Sequence, residues 1–166
     1  MPIDFLKRVL LFVALCMAQV LVLNRIHLFD CATPLLYVLF VLFFERNYPK
    51  WAILLWSFVL GLVLDMFSNT PGITAASLTL LGAVQPYFLE LFIQRDAPDD
   101  IRPSIQTIGA PKFVFYVITM VLLYCTVLFT LETFSFFNWL QWVKSIGGSA
   151  VITVVLILTF ESVRKK

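Results

Sequence analysis

The chain has one histidine, His27, in 166 residues. Its three cysteines, Cys16, Cys31 and Cys125, form no CxxC pair and no metal-ligand spacing. Charged residues make up 13% of the chain, against about 25% in a soluble domain. These shortages exclude a good deal. A catalytic triad or a histidine-rich metal site cannot be assembled around one imidazole, and no positioned acid–base pair is visible. No enzyme activity, cofactor or metal is therefore expected. Cys16 and Cys125 lie inside apolar runs, where a thiol is usually a small packing group. A net charge of +2 gives no basic footprint for nucleic acid. There is too little polar surface to cover a globule in water.

Apolar residues are plentiful. The chain is 61% hydrophobic with a mean hydropathy of +0.95, so its natural solvent is lipid. The length suits one compact transmembrane domain over residues 1–166 with no separate soluble unit. Six apolar segments can be drawn, at 9–23, 32–44, 51–67, 73–92, 113–131 and 146–160. Several fall short of the roughly 20 residues that a perpendicular span requires, and thinning or burial against neighbours must make up the difference. The second is the weakest, with 13 residues between Cys31 and Glu45. The first imitates a signal peptide, with Lys7 and Arg8 ahead of it. It lacks a small-x-small site after Leu23, and bulky Leu15 precedes Cys16, so an uncleaved helix is expected.

Charge placement supports this count. With six spans and the amino terminus inside, ten lysines and arginines face the cytoplasm and only Arg25 and Lys144 lie outside. Leaving out the second span gives three inside and nine outside from the same start. The inverted five-span arrangement strands Lys7 and Arg8 outside. Six spans with both termini cytoplasmic is therefore the expectation. The one long connection, residues 94–112, is interrupted by Pro98, Pro103 and Pro111, and its charges cancel. It reads as a solvated loop or as a docking segment for a cytoplasmic partner. Residues 134–142 alternate aromatic with polar side chains, as an interfacial segment on the outer face does.

Asp65 is the most informative residue. From Trp51 to Leu64 there are 14 residues, which at helical rise span roughly 21 Å, while a hydrocarbon core is about 30 Å thick. A carboxylate at that depth must face the protein interior, a polar cavity or a thinned bilayer edge. Four roles are open to it. It could accept hydrogen bonds from Ser68 or Asn69 and cap the turn into the fourth helix. It could also be a recognition point for a partner helix, a proton or cation site, or a ligand contact. With no histidine, lysine or second acid in the spans, it makes a poor proton relay. Asn69, Pro71 and Gly72 supply the turn that follows. Asn24, Arg25, His27 and Asp30 share the first outer loop, and Arg25 could pair with Asp30 or reach Asp65. Small residues mark possible helix-packing faces: Ala14 and Ala18, then Ala75, Ala76, Gly82 and Ala83, then Gly147 and Gly148. Pro86 is expected to kink the fourth helix, with Gln85 or a neighbour satisfying the freed carbonyl.

The run Gly61-Leu-Val-Leu-Asp65-Met-Phe-Ser-Asn69-Thr-Pro71-Gly72, followed by Ala75 and Ala76, is similar to the Gly-x-x-x-Asp signature of the MreD family of rod shape-determining proteins. The stretches 24–34 and 85–92 look like the branch of that family found in Bacteroidetes. The resemblance runs nearly end to end. It implies an all-α, six-helix inner-membrane scaffold of the cell-elongation machinery that is not itself a synthase. The implied partners are MreC, the actin-like MreB, the glycosyltransferase RodA and a class B penicillin-binding protein, together with membrane lipids. It places the likeliest contact or shape-fixing region at the turn from Asp65 to Gly72 and in the fourth helix. The family is also similar in fold to the small substrate-binding subunits of energy-coupling-factor vitamin transporters. That leaves a second reading, a vitamin-binding subunit with Asn24, Arg25, Asp65, Asn69 and Trp139 near its site.

The topology is directly testable. In a cysteine-free background, Asn69→Cys is expected to react with an impermeant maleimide added outside intact cells. Asp99→Cys is expected to react only after the inner face is opened. The reverse pattern would overturn the six-span orientation.

Overall fold

A computed structural model describes residues 2–21, 25, 35–69, 71–134 and 136–165. These residues are all-helical, with no strand among them. In chain order the helices are α1 (Pro2–Leu21), α2 (Val38–Leu42), α3 (Lys50–Ser68), α4 (Ile73–Phe92), α5 (Ile105–Ile108), α6 (Ala110–Thr133) and α7 (Trp139–Lys165). A short 3-10 turn, Phe136–Asn138, leads into α7. Four helices, α3, α4, α6 and α7, are long and apolar enough to cross a membrane, which makes this a multi-pass membrane protein by length and composition. α1 is not among them, because Asp4, Lys7 and Arg8 occupy its first two turns.

The boundaries agree best where a turn punctuates the sequence. The fourth apolar segment and α4 coincide at 73–92, and α4 runs unbroken through Pro86. α7 begins at Trp139, seven residues before the apolar segment expected at 146–160. Residues 139–142 are thus the first turn of a helix, which follows directly on the 3-10 turn.

The second segment requires a correction. Expected as a span over 32–44, it is helical only over Val38–Leu42 among the described residues. Five residues of helix rise about 7.5 Å, far less than a bilayer core. The reason lies in its surroundings. Val38, Leu39, Phe40, Val41 and Leu42 are all buried, whereas a helix against lipid keeps one face outward. Residues 35–44 form the axis of the bundle, and the long helices pack around them.

Side chains show how this axis is held. Gln19 Oε1 of α1 accepts the Leu36 N–H at 3.2 Å, and Thr153 Oγ1 of α7 accepts the Leu35 N–H at 3.2 Å. At the other end, the Tyr116 hydroxyl of α6 donates to the Leu42 carbonyl and Gln85 Nε2 of α4 donates to the Phe44 carbonyl, both at 3.3 Å. The Tyr37 and Tyr124 hydroxyls share a buried hydrogen bond of 2.7 Å. Non-helical backbone inside a membrane protein persists only where protein groups satisfy it. Here four helices each lend a polar side chain to do so. The axis runs antiparallel to α1: residue 36 lies level with Gln19, Phe40 packs edge-on against Phe12, and Glu45 meets Arg8.

The connection at 94–112 is folded back on the bundle. Arg46 donates through its backbone N–H to the Ile101 carbonyl and through Nη1 to the Ala97 carbonyl, both at 3.2 Å. Arg102 Nε pairs with Glu45 at 2.7 Å. Ser104 and Thr107 form a reciprocal capping box that starts α5. The connection is largely exposed, as a solvated loop is, and these bonds order it against the bundle.

Removing a single hydroxyl tests the axis. Thr153→Val keeps the shape but leaves the buried Leu35 N–H without its acceptor, at an expected cost of about 1–3 kcal/mol. Thr126→Val, on the exposed side of α6 and bonded only to its own helix, is expected to stay within about 0.5 kcal/mol. Thermal unfolding of the two variants in detergent measures the difference.

Candidate functional site

The turn between α3 and α4 gathers most of the residues singled out in the sequence. α3 closes on Asn69, whose backbone is left-handed at φ 57° and whose N–H reaches the Asp65 carbonyl. Asn tolerates that conformation better than most residues, and it ends helices for that reason. Gly72 then takes φ 80° as the first flanking residue of α4, a region glycine enters without a steric cost. Having no side chain, Gly72 cannot cap the helix it opens.

Asp65 supplies the missing cap from the previous helix. Its Oδ1 accepts the Thr74 N–H and its Oδ2 accepts the Ala75 N–H, each at 3.0 Å. These are two of the four N–H groups that a helix start leaves without partners. The carboxylate is 5% exposed, and its charge lies against the positive end of the α4 dipole. The backbone partners of the cap thus lie across the turn, on α4.

Gly61 explains why the reach is short enough. One helical turn before Asp65, it lies on the same face of α3. A Cβ built there would fall 2.3 Å from the Ala75 Cα and 2.7 Å from the Ala75 nitrogen. Both are main-chain atoms that cannot swing aside. Only a glycine lets α4 come near enough for the carboxylate to take both amides. Gly61 and Asp65 are therefore one device, in which the glycine sets the approach and the acid fastens it. Lower in the hairpin the contact repeats with roles exchanged. A Cβ at Gly82 of α4 would meet Ser57 Oγ of α3 at 2.6 Å, and that hydroxyl donates to the Ile53 carbonyl at 2.7 Å.

The other expected residues fall in different places. Ala75 is buried in the hairpin, while Asn69, Pro71, Gly72 and Ala76 are exposed around it. Met66 and Phe67 flank the buried acid and are 83% and 64% exposed. They are the apolar surface a neighbour would meet there, and the signature residues drew attention away from them. Arg25 is exposed and forms no ion pair among the described residues. Asn24, His27, Asp30 and Cys31 lie outside the described residues. Ala14 is exposed and Ala18 half-buried. A Cβ at Gly147 would meet nothing within 4 Å, so that glycine makes no close packing among the described residues. Gly148 is half-buried, and next to it Ser149, Ala150 and Thr153 are buried.

Among the described residues, no three His, Cys, Asp or Glu side chains gather as a metal site would require. A groove at the α6–α7 turn is lined by residues 137–141 and Lys144, and does not include Arg25, Asp65 or Asn69. Comparison with family models, with curated proteins and with solved structures gives no match for this chain.

The device makes a graded prediction. Asp65→Asn keeps one acceptor oxygen and is expected to lose part of the clamp. Asp65→Leu loses both and should cost about 2–3 kcal/mol, given the strength of hydrogen bonds to charged groups. Gly61→Val should cost more than Asp65→Asn, because its Cβ meets backbone. Amide exchange at Thr74 and Ala75 reports each step, and full protection in Asp65→Leu would refute the clamp.

Proposed function

We propose that the chain is a non-catalytic scaffold of the MreD kind in a bacterial inner membrane. In this reading six traverses place both termini in the cytoplasm, and the protein holds MreC for lateral-wall peptidoglycan synthesis. The observation that carries the reading is the use made of Asp65. An intramembrane acid is by default a functional residue, and here both its oxygens accept main-chain amides of the next helix. The residue best placed for transport or proton chemistry is committed to shape. That gives a Gly-x-x-x-Asp signature a physical task that a scaffold needs.

Further support comes from the ends of the bundle. The start of α1 and the end of α7 line one cleft, through Lys7 and Arg164, as an even number of traverses requires. Residues 35–44 are counted here as the sixth, short traverse, sheathed by the other five.

The contact with MreC is assigned to the α3–α4 hairpin tip, where Met66 and Phe67 are exposed beside the rigid turn. In lipid there is little hydrophobic drive between helices, so affinity rests on close packing and a few polar contacts. A fixed tip reduces the ordering cost of that contact. The folded-back connection at 94–112 offers an ordered surface at the opposite end of the hairpin for MreB, and RodA and a class B penicillin-binding protein complete the assembly. A vitamin-binding subunit would need Asn24, Arg25, Asp65, Asn69 and Trp139 to converge on a pocket. Asp65 is committed to α4, while Arg25, Asn69 and Trp139 are exposed.

Co-purification with MreC tests the proposal. The paired substitution Met66→Ser and Phe67→Ser is expected to reduce MreC recovery while the hairpin stays folded. Asp65→Leu is expected to reduce it by loosening the tip. Wild-type recovery of MreC with both proteins would remove this turn from the interface, and no recovery with the unaltered chain would end the scaffold reading.

A further inference from the structure

At the end of the bundle away from the α3–α4 turn, a cleft of about 330 Å³ opens between the start of α1 and the end of α7. Its wall changes character along its length. Lys7, Arg8, Arg102 and Arg164 line one part, and Leu10, Ala14 and Phe160 line another. From Lys7 to Ala14 is seven residues of α1, or about 10 Å along the helix axis. A cationic end of the cleft thus gives way over that distance, along α1, to an exposed apolar stretch.

The cations of that end are unequally occupied. Arg102 is paired with Glu45 at 2.7 Å. Arg8 is pinned by stacking on Tyr48, 4.1 Å from the ring centre, and its Nη2 lies 3.5 Å from the same Glu45 oxygen. Its Nη1 is buried with no hydrogen-bond partner. Arg164 has a loose contact with Glu161, at 3.9 Å, and its guanidinium lies over the Phe43 ring, 5.3 Å from the ring centre. Lys7 has no ion pair among the described residues. Asp4 is the acid that lines the same cleft. Lys7 is thus a cation without an ion pair among the described residues, and Arg8 keeps one buried nitrogen, Nη1, without an acceptor, which is costly for a buried charged group.

We propose that this cleft binds an anionic glycerophospholipid. The phosphate lies among Lys7, Arg8 and Arg164, and supplies the acceptor that Arg8 Nη1 is missing. One acyl chain follows α1 inward over Leu10 and Ala14, against Phe160. Charge argues for this occupant over a partner helix, since an apolar transmembrane segment offers Lys7 and Arg8 Nη1 no anion, whereas a phosphate with the first part of an acyl chain carries the same polar-to-apolar gradient as the wall. This inference needs only that the chain lies in a membrane, and it does not depend on the scaffold role.

Native mass spectrometry of the purified full chain tests it, with phosphatidylglycerol and phosphatidylcholine of identical acyl chains as probes. Phosphatidylglycerol is expected to remain bound where phosphatidylcholine is lost. Lys7→Gln and Arg164→Gln should each reduce that retention about fivefold, the effect of roughly one surface cation. Lys112→Gln, an exposed cation outside the cleft, should leave it unchanged. Equal retention of the two lipids by the unaltered protein would overturn the proposal, and that comparison needs no variant to fold. Full retention in the Lys7→Gln, Arg164→Gln double variant would overturn it too, as would an equal loss with Lys112→Gln. A photo-reactive group at Ala14 should capture lipid in membranes, and capture of a protein segment instead would assign the cleft to a partner and end the lipid reading.

Discussion

An amide or carbonyl without a partner is costly in a medium that offers none, and the architecture follows from meeting that demand. Regular helices meet it internally along their length. Among the described residues, two buried places where they do not are the opening of α4 and the two ends of the central segment 35–44. In both, side chains take the role of the absent main-chain partner. Asp65 does so for Thr74 and Ala75. Gln19, Gln85, Tyr116 and Thr153 do so for the axis. Each of these five side chains thus spends a polar atom on backbone.

The two solutions reinforce each other geometrically. Gly61 and Gly82 bring α3 and α4 into backbone-close contact, which fixes α4 as one wall. From that wall Gln85 extends to the Phe44 carbonyl. A slackened hairpin would move Gln85 with it and loosen the hold on the axis.

The long helices were legible in the sequence because their apolar runs are long and their ends carry turn residues. Asn69, Pro71 and Gly72 fix the α3–α4 boundary to the residue. Gly61 and Asp65 were legible as a pair by their spacing, and burial with amide donors across the turn gives that pair its meaning. The second segment was misjudged because composition cannot distinguish a helix wrapped in lipid from one wrapped in protein. Both read as Val, Leu and Phe. The available signal lay elsewhere, in Gln19, Gln85 and Thr153, polar groups set inside other apolar runs without an evident partner of their own. Read together, they point to backbone that cannot satisfy itself. Met66 and Phe67 were passed over because an exposed apolar residue in a membrane protein carries no distinguishing mark by composition.

The position of the axis has a consequence for biogenesis. Residues 35–44 leave the ribosome early, yet the groups that complete them come from positions 85, 116 and 153, the last synthesised near the end of the chain. The stretch is too short to settle across a bilayer on its own helix, so it cannot reach its final state when it is made. Of its partners only Gln19 precedes it in the chain, and its full set of bonds can exist only once Thr153 has been made. The clamp between α3 and α4 needs nothing beyond Ala75. The innermost segment is therefore the one whose completion depends on the latest part of the chain.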